Sequence, residues 1–115
     1  MSAINSLIDL VFGDADAAHK QHLATETLQE HEALGEFYAS VREAVDSTAE
    51  ALIALGQIPD GEPDMLARLQ ASFRELESLR PVCDGVKPVE NLFDNIGAAY
   101  LKAIFKLTRL KDRTA

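Results

Sequence analysis

Three histidines fall within the thirteen residues HKQHLATETLQEH, at His19, His22 and His31, and the 115-residue chain has no others. Two carboxylates farther on, Asp46 and Glu50, stand four residues apart, a spacing that stacks them on one face of a helix. Imidazole and carboxylate ligands together suit Fe(II), Mn(II) or Zn(II), and a mixed set with open positions suits reduction of oxygen or peroxide by iron. Each residue also has an ordinary structural use: an acid solvated on a helix flank, a hydrogen-bonded histidine in a core seam. Which use applies depends on the elements that carry these residues and on which elements meet.

Apolar residues recur at intervals of three and four along the whole chain and never alternate with polar ones over a strand's length, so the chain reads as all-α. Four helices are predicted, at about residues 2–22, 26–55, 64–80 and 89–111. The first carries Ile4, Leu7, Ile8, Val11, Ala15 and Ala18 on one face. Thr25 or Thr27 serves as N-cap of the second, with Glu30 three residues beyond Thr27 as in a capping box, and Gly56 and Pro59 close it. Its inward stripe, His31, Leu34, Tyr38, Val41, Val45, Thr48, Leu52 and Leu55, alternates three and four like a coiled-coil seam. The third helix opens near Pro63 or Asp64 and presents Leu66, Leu69, Phe73, Leu76 and Leu79; the fourth follows Pro88 and presents Val89, Phe93, Ile96, Tyr100, Ala103, Leu107 and Leu110. The second helix would be roughly 45 Å long, whereas the connection from Gly56 to Pro63 reaches at most about 28 Å. A full-length parallel crossover is therefore excluded, and the third helix either returns antiparallel or lies obliquely.

The length fits one domain with a modest core that further copies could extend. A composition of 47% apolar and 26% charged residues is too hydrophobic for intrinsic disorder. A net charge of −8 disfavours nonspecific attraction to DNA or to anionic membrane. The charge is uneven: Lys102, Lys106, Arg109, Lys111 and Arg113 against Asp112 give the last fourteen residues +4 and leave −12 on the rest. Cations at a helix C-terminus complement its dipole, and they also suit a small anion-binding tail. A lone Cys83 supplies neither a disulfide nor a cysteine zinc site, is compatible with a reducing compartment, and in RPVCDGVKP reads as a plain loop cysteine. With no signal peptide and no membrane-length apolar run, a cytoplasmic protein is expected.

The stretch from His19 through HEALGEFYASVREAVDSTAE to Glu50 resembles the signature of Dps proteins, the miniferritins that oxidise and store iron. In that family a His near the end of the first helix is followed after twelve residues by a second His, four later by an Asp, and then by an Asp and a Glu fifteen and nineteen beyond that His. His19, His31, Asp46 and Glu50 fall in this register without a gap, and Gly35 stands where the first Asp belongs. Phe37, the run D46STAE50 and ALGQIP at the helix end also match. The match covers roughly residues 19 to 59. No aromatic follows His19, the first helix is short, and the basic N-terminal tail with which some members hold DNA is absent. The motif is similar as well to small phage-encoded proteins with a ferritin-like signature, for which host cytoplasm or a virion would be the setting. The resemblance implies a four-helix ferritin-like bundle with short connections, assembling at least as an isologous dimer, with iron, or Mn or Zn, bound between subunits and possible ferroxidase-like activity. The implied metal ligands are His19, His31, Asp46 and Glu50.

Helix geometry says how such a site would form. His31 and Asp46 lie about 22 Å apart along one helix axis, so they cannot hold the same ion from one copy. Two copies of the helix crossing antiparallel near position 39 or 40, where small Gly35, Ala39 and Ser40 permit close approach, would bring His31 of one beside Asp46 and Glu50 of the other, giving two equivalent sites. With glycine at 35, ion number or affinity should fall; Glu36 or His22 would substitute only with a helix rotation or an inward loop, and His22 has an alternative use in capping carbonyls at the end of the first helix. The second class of function is a non-enzymatic helical interaction protein whose acidic face or basic fourth-helix end engages a protein partner, with a vestigial metal site.

Overall fold

A computed structural model of the chain describes the backbone of residues 2–114 and the side chains of residues 2–110. Among the described residues there are four α-helices, α1 (Ala3–Ala24), α2 (Leu28–Ala54), α3 (Met65–Ser78) and α4 (Lys87–Thr114), a 3-10 turn over Arg80–Cys83, and no strand. The all-α class and the four helices agree with the sequence reading. The contacts divide the chain into two compact units, Met1–Gly61 and Glu62–Ala115.

In the first unit α1 packs against α2 across a three-residue connection, Thr25–Thr27, too short for anything but an antiparallel hairpin. Ser2 caps α1, its hydroxyl accepting from the Asn5 amide. Thr27, not Thr25, caps α2 by accepting from the Glu30 amide, and the Thr27 amide is satisfied by the Thr25 hydroxyl at 3.2 Å. The capping box is thus half formed, which frees the Glu30 carboxylate for another partner. At the far end Gly56, with φ of 100°, ends α2 in a Schellman motif: the Gly56 amide donates to Ile53 and the Gln57 amide to Leu52. Asn5 then pins the outgoing chain to the start of α1, its amide donating to the Asp60 carboxylate and its carbonyl accepting from the Asp60 backbone.

Ile4, Ala15, Ala18 and Val45 are buried, with Leu7, Ile8, Val11, Leu34, Tyr38, Val41 and Leu52 half-buried, so the predicted stripes of both helices face each other. Two predicted positions do not: Thr48 is exposed, and Leu55, as the C-cap, is turned outward and 83% exposed. The core is therefore thin, and Ile4 is its one large side chain with no exposure at all.

The second unit is built the same way. Asp64 caps α3 by accepting from Ala67, and Leu66, Leu69, Phe73 and Leu76 face α4. α3 ends at Ser78, before the predicted limit, because Pro81 lacks an amide donor and forces the tighter 3-10 turn. That turn carries Cys83 inward, where it is 3% exposed; the loop cysteine expected from the sequence is instead part of the core beside Phe93 in burial. Asp84, left-handed at φ 52°, reverses the chain, and α4 begins at Lys87 with Pro88 in its first turn, where a missing donor costs nothing. Arg80 ties the turn to α4 by pairing with Asp94 and Glu77 and by lying over the Phe93 ring at 5.0 Å. Asp94 and then Glu77 raise the guanidinium above its ordinary value, so it stays charged. Leu79, Val89, Ile96 and Leu110, predicted as core, are exposed.

Replacing Ile4 by alanine removes the one wholly enclosed large side chain of the first unit. Urea unfolding should show a loss of about 3 kcal/mol, and a loss under about 1 kcal/mol would mean that α1 is not packed as described.

Candidate functional site

All three histidines converge at the closed end of the first hairpin. His22 leaves the last turn of α1 and His31 the first turn of α2, and each places its ring against the other's backbone. His22 Nδ1 lies 2.5 Å from the His31 carbonyl and His31 Nδ1 lies 2.7 Å from the His22 carbonyl. A carbonyl oxygen can only accept, so both Nδ1 atoms carry hydrogen and donate. The two rings stack at 3.6 Å with 20° between their planes. In the neutral form this tautomer leaves Nε2 of each ring with a free lone pair.

Beside this pair, Tyr38 stands edge-on to His22 at 5.4 Å, and His19 stacks on Tyr38 at 4.0 Å and 13°. His31, Gly35 and Tyr38 follow at intervals of four and three on α2, and His19 and His22 at an interval of three on α1, so one stripe on each helix supplies the whole cluster. His22 and Tyr38 are half-buried, whereas His19 is exposed. A further pair closes the end: the Gln21 amide donates to the Glu30 carboxylate at 2.9 Å, nine residues apart like His22 and His31. That bond first, and the Thr25 hydroxyl second, hold Glu30 below the ordinary carboxylate range. With the folded value lowered, Glu30's contribution is complete above the unfolded carboxylate value and is lost as pH falls through the folded one.

Gly35 explains how His22 fits. A Cβ built there would lie 3.1 Å from His22 Cε1 and 3.3 Å from Nδ1, tighter than ordinary contact. The absent side chain is the seat of the imidazole. From sequence alone Gly35 reads as a missing carboxylate and as a small residue at a helix crossing, His22 has no settled role and Tyr38 falls in the seam. The available signal was the pairing of positions 21 with 30 and 22 with 31 across a short antiparallel turn.

The four residues assigned as metal ligands separate into two places. His19 and His31 belong to the cluster, linked through Tyr38 and His22. Asp46 and Glu50 lie far along α2 from His31, about 22 Å for fifteen residues, and are exposed. They share their flank with Arg42, which pairs with Asp16 and lies over Phe12 at 5.5 Å. Among the described residues of one chain, no three His, Cys, Asp or Glu side chains are grouped so as to hold an ion. A shallow apolar groove of about 170 Å³ runs between Leu7 and Val11 of α1 and Val41, Ala44, Val45 and Thr48 of α2. Among the described residues no helix is long and apolar enough to cross a membrane.

Comparison with protein families, with curated proteins and with solved structures returns no match. The reading of the site therefore stands on its geometry.

Gly35→Ala reports on that geometry through its sign. Alanine gains up to about 1 kcal/mol of helix propensity over glycine, but with His22 held in place by its stack and its hydrogen bond the added methyl meets the ring, so stability should fall. In a His22→Ala background, itself destabilised by about 2 kcal/mol through the lost stack and bond, Gly35→Ala should become stabilising. Equal gains in both backgrounds, measured by urea unfolding, would show that His22 does not occupy the seat.

Proposed function

We propose that this chain is a non-enzymatic helical assembly protein whose hairpins complete their apolar packing against other protein helices. One observation carries the reading: among the described residues six apolar side chains are buried, while eighteen large hydrophobic ones, including Leu10, Leu28, Phe37, Leu92, Leu101 and Phe105, remain exposed. Burying one such side chain fully is worth about 1.5–3 kcal/mol, so helix association has a large driving force still unused. Two-helix units have little core of their own, and the apolar groove beside Val41 and Val45 is one place where a further helix gains contact. The histidine cluster, on this reading, fixes the hairpin so that its outer faces are presented rigidly.

A second reading is the intersubunit metal site. It is supported by the tautomer of His31, whose Nδ1 is committed to a carbonyl and whose Nε2 is left free, by exposed Asp46 and Glu50 on the same helix, and by exposed small residues Ala39 and Ser40 midway between them. His19 of α1 and His31 of α2 from one copy, with Asp46 and Glu50 of the crossing α2 from the other, would then hold iron, manganese or zinc. Gly35 supplies no carboxylate and a Cβ there would crowd the His22 ring, so this site would have at most the four remaining ligands.

Sedimentation analysis should give a mass above that of one chain at about 100 μM, and the midpoint of thermal unfolding should rise with protein concentration. A single-chain mass and a fixed midpoint would sink the assembly reading. For the metal reading, reconstitution with Fe(II), Mn(II) or Zn(II) should leave bound ion that His31→Ala and Glu50→Ala remove, and Ala39→Cys should crosslink to itself across the two-fold. Less than about a tenth of an ion per chain would exclude a folded-state site of useful affinity.

A further inference from the structure

The charge of this chain is divided between its two units. Met1–Gly61 holds eleven Asp and Glu against Lys20 and Arg42, a net −9, whereas Glu62–Ala115 holds nine Lys and Arg against eight acids, a net +1. Within the second unit the positive charge sits at the end of α4, where no acid occurs between Asn95 and Leu110.

Lys102, Lys106 and Arg109 are exposed there and alternate with Leu101, Phe105 and Leu110, each at least half open to solvent. Arg109 lies over the Phe105 ring at 5.4 Å, and a shallow depression is lined by Phe105, Lys106, Arg109 and Leu110. Arg42, Arg68, Arg80 and Lys87 all have carboxylate partners within the chain. Among the described residues Lys102, Lys106 and Arg109 have none, nor do the single cations Lys20 of α1 and Arg74 of α3. Cations with interleaved aromatic and aliphatic side chains, lacking internal partners, form a surface whose complement is acidic and helical.

The outer face of α2 has that chemistry. Glu32, Glu36, Glu43, Asp46 and Glu50 are all exposed, and Arg42, the one cation on the helix, is committed to Asp16. Between the acids stand Ala39, Ser40 and Ser47, small enough to admit a bulky side chain from another helix. Glu36 and Glu43 are seven residues apart, as are Lys102 and Arg109, and seven residues span two turns, about 10.5 Å. In an antiparallel alignment Lys102 meets Glu43, Arg109 meets Glu36, and Phe105 falls on Ala39 and Ser40.

We propose that the basic, aromatic end of α4 docks along the acidic outer face of α2 in a second copy of this chain. The inference rests on the reading of the chain as an assembly protein and names its partner and its contact. Because the two faces are unlike, the contact is heterologous: each copy offers one free α4 end and one free α2 face, so association continues to a closed ring or an open filament. Neither face uses the His22–His31 pair, which remains inside each hairpin.

The test is sedimentation of the full chain at about 25 mM and about 500 mM salt, where screening of exposed charges differs strongly. The weight-average mass at low salt should exceed the high-salt value about two-fold or more. The triple variant Lys102→Glu, Lys106→Glu, Arg109→Glu and the double variant Glu36→Lys, Glu43→Lys should each lose the low-salt increase with helicity unchanged by circular dichroism, and mixing the two should restore it. Association of the triple variant equal to that of the wild-type chain overturns this contact while leaving the assembly reading intact. A single-chain mass at every concentration and salt overturns both. Binding of a fluorescent DNA duplex by the wild-type chain but not by the triple variant would assign the α4 end to nucleic acid and overturn the contact as well.

Discussion

The first hairpin depends on an exchange of hydrogen bonds between two histidines. His22 and His31 each donate from Nδ1 to the other's carbonyl and stack face to face at 3.6 Å. The exchange fixes the register of α1 on α2 at the turn, and everything farther along the hairpin inherits that register: Tyr38 beside His19, Arg42 beside Asp16, Val45 inward. Two hydrogen bonds and a stack contribute about 1 kcal/mol each, which matters in a unit whose buried side chains are few. Gly35 is part of the same device, since any side chain there would meet the His22 ring.

A hairpin fastened mainly at its closed end needs its open end held too. Gly56 and Asn5 do this by different means, one ending α2 with a left-handed residue and the other pinning Asp60 to α1. Between the two ends the packing is largely alanine, valine and half-buried leucine, so the interface is close but contributes little burial per residue. The second unit makes the opposite choice, with a charged hub at Arg80 over Phe93 and a buried Cys83 at its closed end. Both solutions fix helices in place while leaving their outer faces open.

Much of this was legible in the sequence. The three-four spacing gave four helices, Thr25 or Thr27 and Gly56 marked the limits of α2, and the faces of α1 and α2 were assigned correctly apart from Thr48 and Leu55. Errors gathered where backbone chemistry overrode side-chain pattern: Pro81 converted the predicted end of α3 into a 3-10 turn and carried Cys83 from an expected loop position into the core. Leu79, Val89, Ile96 and Leu110 matched the helical period yet lie exposed. Nor did ligand spacing reveal the histidine exchange, in which the acceptors are backbone carbonyls and carry no residue identity.

Gly35 shows how one residue can satisfy two incompatible descriptions. Set against the signature that the sequence resembles, it stands where a carboxylate is expected; as a position in this hairpin it is the glycine against which His22 packs. A Cβ at residue 35 would crowd the stacked ring of His22, so a side chain there requires the ring to shift. His19 and His31 both take part in the ring contacts across the three-residue turn, through Tyr38 and His22. Asp46 and Glu50 have no comparable structural role: they are exposed and belong to an acidic face that extends from Glu32. The histidines thus have a role within the hairpin itself, whereas the carboxylates belong to the exposed acidic face of α2.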